Sequence, residues 1–241
     1  MKYVLSERAL LKVSGSDAET FLQSQLSNDI TKLDRSRIQL NAYCQHQGKI
    51  IGLLWVIRDD EAFFISFPKD LLETIKSRFL MFVIMSDVVI EDVSSSYNQI
   101  GLIDEKQSNG YSINDRLSLK IENRTEKTNA NVDENIEWTL SCIKSFLPEI
   151  FMATREKFVP QMLNLDIDEI GVNFSKGCYP GQEVVARLHY LGSAKRRLFS
   201  FKSNQEMFIG DSLYCASSKT ALARGDRYKG SGIVVSKVKY N

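Results

Sequence analysis

Apolar residues in the first hundred positions switch between two spacings, and each switch marks an element. A short apolar stretch at Leu10–Val13 predicts a strand. Ser16-Asp-Ala-Glu19 then has the Ser-x-x-Glu form of a capping box, and Ala18, Phe21, Leu22 and Leu26 recur at helical spacing, so a helix is expected from about Asp17 to Asn28. Three apolar runs follow, Ile38–Tyr43, Ile50–Ile57 and Ala62–Phe67, joined by polar turns at Gln45–Lys49 and Asp59–Glu61. Such a succession predicts an antiparallel meander. Pro68 stands where a first helical turn tolerates it, and Leu71, Leu72, Ile75, Phe79 and Phe82 mark the stripe of a second helix. Strands at Val88–Val93 and Gln99–Ile103 complete an α+β layer with helix laid over one face of a sheet.

The pattern then loosens. Asn123–Asn135 has almost no apolar residues and reads as a loop or linker, and Trp138, Leu140 and Ile143 belong to a helix or strand leading into Pro148. Phe158–Ile170 is apolar but irregular. Beyond Arg197, short runs at Leu198–Phe201, Ser212–Cys215 and Gly232–Val238 suggest a small barrel fragment. A chain of 241 residues has room for two or three such units.

Composition narrows the class. Hydrophobic residues at 43% and charged residues at 25% supply ordinary globular cores. With 31 basic residues against 30 acidic ones there is no global field toward nucleic acid or membrane, which argues against direct tRNA binding. The N-terminus lacks the apolar core of a signal peptide, and no apolar run is long enough for a bilayer, so a reducing cytoplasm is the expected compartment. Cys44, Cys142, Cys178 and Cys215 form no Cys-x-x-Cys pair, only His46 and His189 are available to assist them, and no metal site is expected. Walker-type, Gly-x-Ser-x-Gly and His-Glu-x-x-His motifs are all absent, which removes the main support for nucleotide-binding and hydrolase readings.

The chemistry concentrates between Gly171 and Arg197, GVNFSKGCYPGQEVVARLHYLGSAKRR. Gly177 and Gly181 allow tight turning and close approach to a ligand, Pro180 stiffens the turn, and Val184–Val185 begin an apolar run expected to be a strand. Lys176 and Arg187 could raise the thiolate fraction of Cys178, making it a nucleophile, a redox sensor or a metal ligand; free cysteines also commonly serve as small buried hydrophobes. Gln182 and Glu183 suit either the amide edge of a heterocycle or the backbone of the turn. Lys195–Arg197 suit a polyanion or a solvated strand end, Trp55 and Trp138 suit ligand stacking or core, and His46 reads as surface polar.

KGCYPGQEVVAR, preceded by Val159-Pro-Gln-Met-Leu-Asn-Leu165 and Gly171-Val-Asn-Phe174, resembles the signature of the YgfZ family of folate-binding proteins. That family is related in fold to the glycine-cleavage aminomethyltransferase, and Gly15–Asp29 is similar to the start of both groups. The resemblance implies a three-domain ring of two ferredoxin-like α+β domains and a small C-terminal β-barrel. The first domain would be residues 1–40 and 124–195, the second 41–123 and the barrel 196–241. It further implies tetrahydrofolate or a derivative as cofactor, and a role in maintaining iron–sulfur client enzymes and in tRNA thio-modification. Cys178 would be the functional thiol with Lys176 beside it. Gly177, Tyr179, Gly181, Gln182, Glu183, Arg187, Asn28, Asp29, Gln161, Asn164 and Trp138 would line the folate site. Where the aminomethyltransferases carry catalytic aspartates, this chain has Gly52 and Leu53, so the resemblance does not imply that reaction. A tetrahydrofolate-dependent one-carbon transferase working through Glu183 or Asp29 is the alternative.

Overall fold

The computed structural model describes residues 1–60, 62–105, 110–124, 135–201 and 208–211, with the backbone of two further strands. The Ser212–Cys215 run, and all but the ends of the Asn123–Asn135 loop, lie outside the described residues. The elements are β1 (Lys2–Val4), β2 (Arg8–Ser14), α1 (Ala18–Gln25), β3 (Gln39–Cys44), β4 (Ile50–Arg58), β5 (Ala62–Pro68), α2 (Leu72–Phe82), β6 (Val89–Asp92), β7 (Tyr97–Ile103) and β8 (Tyr111–Ser112). They continue with β9 (Leu117–Asn123), α3 (Ile136–Lys144), α4 (Gln182–Leu191), β10 (Arg196–Phe201), β11 (Leu222–Arg224) and β12 (Gly232–Lys237). The strands form three antiparallel sheets, ordered β3-β4-β5-β2-β6, β1-β7-β9-β8 and β10-β12-β11.

The meander at β3, β4 and β5 is the one the apolar runs predict. β2 returns to pair with β5, placing Leu11 opposite Ile65, and its other edge takes β6. The division drawn at residue 40 therefore falls inside β3, and the five-stranded sheet runs across it.

β4 is buried from Ile50 to Ile57, which accounts for its unbroken apolar sequence: a strand covered on both faces has no side to leave polar. On one face lie α1 and α2, where the Phe79 ring meets Phe21 edge-on at 5.6 Å and Tyr43 at 4.9 Å. Gly52 faces the same helix. A Cβ there would come within 2.9 Å of Ile75 Cδ1, so the tip of the Ile75 side chain rests on the space that glycine leaves. On the opposite face Trp55 meets Trp138 of α3 at 6.4 Å, and the Trp138 indole in turn lies flat against Gly101 of β7. This contact joins the first sheet to the second.

One cation is enclosed at that junction. The Arg8 guanidinium sits 3.9 Å over the Trp55 ring, its Nε donates to Ser66 Oγ at 2.8 Å, and an Nη pairs with Glu149. Gln99 of β7 donates to the Arg8 and Ala9 carbonyls at 3.2 Å. The guanidinium is thus partnered at Nε and at one Nη, while its other Nη is buried without a hydrogen-bond partner among the described residues.

Several local expectations change. Ser16 does not cap α1; its backbone N–H and hydroxyl donate to Asp87, which the β2–β6 pairing brings alongside, and the helix starts after Asp17. Pro68 ends β5, and a 3-10 turn at Lys69–Leu71 leads into α2. Val184 and Val185 lie in α4 rather than in a strand, because Gln, Glu, Ala, Arg and Leu around them favour helix and outweigh two β-branched residues. Among the described residues no helix is long and apolar enough to cross a membrane.

The Trp138–Gly101 contact generates a prediction. A Cβ at residue 101 would lie 2.6 Å from indole Cε3, inside a core with no room to yield. Gly101→Ala should lower the unfolding free energy by about 1–3 kcal/mol, read from urea titrations followed by tryptophan fluorescence.

Candidate functional site

The site begins with three residues after α1. Ser27 and Asn28 lie along the outer edge of β3: Ser27 N–H donates to the Ala42 carbonyl at 3.1 Å, Ala42 N–H donates to Ser27 Oγ at 2.7 Å, and Asn28 N–H donates to Asn41 Oδ1 at 3.0 Å. On their other side runs the motif chain. Ser27 Oγ donates to the Gly171 carbonyl at 2.6 Å, Asn173 N–H donates to the Ser27 carbonyl at 3.0 Å, and Asn28 Nδ2 reaches Ile170 O at 3.3 Å. Residues 26–28 thus cover the sheet edge and carry the motif at the same time.

Lys176 and Tyr179, 8% and 6% exposed, are the motif's two buried anchors, and Gly177 and Cys178 between them are exposed. Lys176 Nζ donates to the carbonyls of Gln23 at 2.6 Å and Asn28 at 3.0 Å and also to that of Leu26, and it lies 5.3 Å from the centroid of the Tyr179 ring. Burial pushes the Lys176 ammonium down to about 8, while the Asp29 carboxylate draws it back up. Its donors are spent on carbonyls, so the direct Lys176–Cys178 partnership expected from spacing is replaced by an attachment to α1. Burial also raises Tyr179, with Cys44 adding to the shift, and burial alone takes Cys44 to about 12.

Tyr179–Gln182 is a turn with Pro180 second and Gly181 third, closed by Gln182 N–H donating to the Tyr179 carbonyl at 3.1 Å. Gly181 has φ 83° and ψ 0°, the type II geometry that glycine adopts freely. A Cβ there would lie 2.5 Å from the Gln45 carbonyl oxygen and 2.8 Å from Gly48 Cα. Gly48, at φ +72°, is matched in turn against Val184 and the Gly181 carbonyl. Two glycine backbones therefore meet, and the β3–β4 hairpin tip seats the start of α4. Gly177 differs: a Cβ on it would meet nothing within 4 Å.

The other candidates divide. Glu183 and Arg187 are exposed on the first two turns of α4, with no hydrogen bond or ion pair among the described residues; Gln182 reaches the Lys176 carbonyl at 3.5 Å. Gln161 is 1% exposed; its Nε2 donates to the Val185 carbonyl at 2.7 Å, and its Oε1 is buried without a partner. Asn164 spends its amide on the backbone of Leu198 in β10. Asn28 holds Leu40 and Ile170. Burial works to raise Asp29, but bonds from Thr31, Gln23 and Lys32 outweigh it and hold the carboxyl below its usual value. Trp138 is 5% exposed between Trp55 and Gly101 and is a core residue. The basic trio splits: Arg197 grips Asp166 and the Gln161 carbonyl at 2.9 Å, Lys195 is exposed and Arg196 half-buried. Phe174 and His189 stack at 3.7 Å. Ser27 and Asn41 do the positioning that sequence reasoning missed; the signal was the polar Ser27-Asn28-Asp29 run set directly after an amphipathic helix. Among the described residues no three His, Cys, Asp or Glu side chains gather as metal ligands.

Two outcomes follow from this geometry. Gly181→Ala should cost roughly 2–4 kcal/mol from its left-handed φ and the carbonyl in its way, whereas Gly177→Ala should stay within about 1 kcal/mol, both measured by urea unfolding. Cys44 is held neutral when folded but ionises when unfolded, so its contribution is complete below pH 9 and is lost as pH rises toward 12. The stability gap between the native chain and Cys44→Ala should therefore narrow as unfolding is measured from pH 8 to 10.5.

Comparison with known proteins places this arrangement. An uncharacterised protein of Haemophilus influenzae is 35% identical over 220 residues, covering 87% of this chain and 76% of the relative. The tRNA-modifying protein YgfZ of Colwellia psychrerythraea is 28% identical over 233 residues, covering 84% and 71%. That of Escherichia coli O127:H6 is 25% identical over 267 residues, covering 98% and 80%. No family model matches the chain. In structure, the glycine cleavage system aminomethyltransferase T of Bartonella henselae superimposes with a TM-score of 0.64 over 98% of this chain and 78% of that one. At 10% identity this is a likeness of fold. Relatives matched along most of their length, together with a mixed α+β architecture of aminomethyltransferase type and the intact KGCYPGQE loop, show that the chain belongs to the YgfZ family.

Proposed function

We propose that the protein is a folate-binding accessory factor for iron–sulfur enzymes and tRNA thio-modification, with Cys178 as its functional thiol. The observation that carries this reading is the exposed Cys178, raised on Gly177 between the buried anchors Lys176 and Tyr179 and beside the first turn of α4. A cysteine serving as core filler would be enclosed, as Cys44 is. The relatives' name, tRNA-modifying protein, supports the second half of the reading. It acts through client enzymes in the cytoplasm, without gripping tRNA itself. The domain arrangement that goes with it is the three-part ring, with residues 196–241 as its barrel.

The donor set fits a folate in part. Glu183 offers a free carboxylate to the paired N–H groups of a pterin edge, and Arg187, one turn on, offers a guanidinium to the carboxylates of the glutamate tail. Gln182 adds a weakly held amide. Asn28, Asp29 and Asn164 have their polar atoms engaged and act one layer behind, and Trp138 is too enclosed to stack on the ligand. Tetrahydrofolate would bring a carrier of one-carbon units. Gly52 and Leu53 supply no carboxylate to act on one, so the transferase reading has no specific support at that position.

Two measurements test this. Titration with 5-formyltetrahydrofolate in a calorimeter should show binding that weakens about tenfold, roughly 1.4 kcal/mol, in Glu183→Ala and again in Arg187→Ala; absence of binding to the native chain removes folate from the reading. In a strain lacking its YgfZ, the native chain should restore the activity of an iron–sulfur enzyme and Cys178→Ala should lose most of that rescue. Full rescue by Cys178→Ala would remove the thiol.

A further inference from the structure

We infer that Lys176 is a positioning residue, its ammonium fastening the base of the Gly177–Cys178 loop to the end of α1, rather than a group that acts on the thiol or on a ligand. The consequence for activity rests on the reading of Cys178 as the functional thiol; the fastening itself does not.

Donors and acceptors are matched at the end of α1. A helix leaves its last carbonyls without intrahelical partners and carries partial negative charge at that end. α1 ends at Gln25, and the carbonyls of Gln23, Leu26 and Asn28 converge there on one point. An ammonium has three N–H donors and no acceptor, which is what that point requires. The Tyr179 ring, 5.3 Å from Nζ, closes the far side, and Asp29, itself paired with Lys32 at 3.4 Å, supplies the nearest opposite charge. Cys44, at the end of β3, is enclosed, and burial pushes its thiol up to about 12. Lys176 is thereby saturated, and a lysine with every donor committed has none left for chemistry. What it does control is the chain on either side. Cys178 is two residues away, across Gly177, where a Cβ would meet nothing within 4 Å. Remove the ammonium and three carbonyls lose their common partner, while the loop keeps the buried Tyr179 and the long Gln182 contact to the Lys176 carbonyl at 3.5 Å.

The test separates the ammonium from the rest of the side chain. Hydrogen exchange would be followed at the amides of Asn173, Ser175 and Gln182, which donate respectively to Ser27 O, Asn173 Oδ1 and Tyr179 O. Exchange should quicken at least tenfold in both Lys176→Ala and Lys176→Met, although methionine keeps the apolar stem. In Lys176→Ala, added n-propylammonium should restore protection and tetramethylammonium, which has no N–H, should not. Native-like protection in Lys176→Met, or equal effects of the two amines, would overturn the inference. Should both variants fail to fold, the native chain still decides. A slowly exchanging Lys176 Nζ–H cross-peak in nitrogen-15 spectra at pH 6.5 is expected, and a rapidly exchanging one overturns the assignment. Rescue by Cys178→Ala in the iron–sulfur assay would sink the functional reading while leaving these exchange results to stand or fall separately.

Discussion

The architecture around the motif depends on the meeting of two backbones that have no side chains between them. Gly48 at the β3–β4 hairpin tip and Gly181 at the start of α4 come so close that a Cβ on the latter would sit 2.5 Å from a carbonyl oxygen. This fixes the start of α4, because the type II turn with Gly181 at its third position opens directly into the helix from that seat. With α4 placed, the Val185 carbonyl lies within reach of Gln161, the Gln161 carbonyl accepts from Arg197, and Asn164 takes the backbone of Leu198. The third sheet is therefore tied to the first through a short series of polar contacts that starts at two glycines.

Two buried cations then show how differently the fold can meet the same cost. Removing a charge from water carries a penalty of several kcal/mol that close partners offset. Arg8 is met by an aromatic face, a hydroxyl and a carboxylate, partners that are side chains and visible as residue types. Lys176 is met by main-chain oxygens, which any residues at those positions would supply. The first cation is held against the first sheet and Glu149 through side-chain identity. The second holds a loop to a helix end through backbone shape.

That contrast explains what could be read from the residues. The apolar runs of β3, β4 and β5 and the stripe of α2 were legible because burial on a strand or helix face leaves a periodic trace, and the thiol was legible because its loop matches a family signature. Lys176 was legible as a residue of interest but not in its role: carbonyl acceptors some 150 positions earlier leave no mark on sequence. α4 was misread because two adjacent valines have local β preference, whereas the turn that launches the helix is fixed by contact with a distant hairpin. Gly52 looked like a missing carboxylate; in the fold it is the place where Ile75 of α2 rests on the sheet. Trp138 offered a ring for stacking, and the core took it.

The placement of Cys178 follows from these constraints together. A loop anchored at both ends and exposed in the middle presents its thiol outward, since Lys176 and Tyr179 restrict where the intervening residues can go. An enclosed cleft would limit such a thiol to small molecules. A surface position on such footings sets no comparable limit on the size of the group that can reach it. The same anchoring sets the conformational order of the loop at folding, when the ammonium is enclosed, so that order does not have to be gained afterwards.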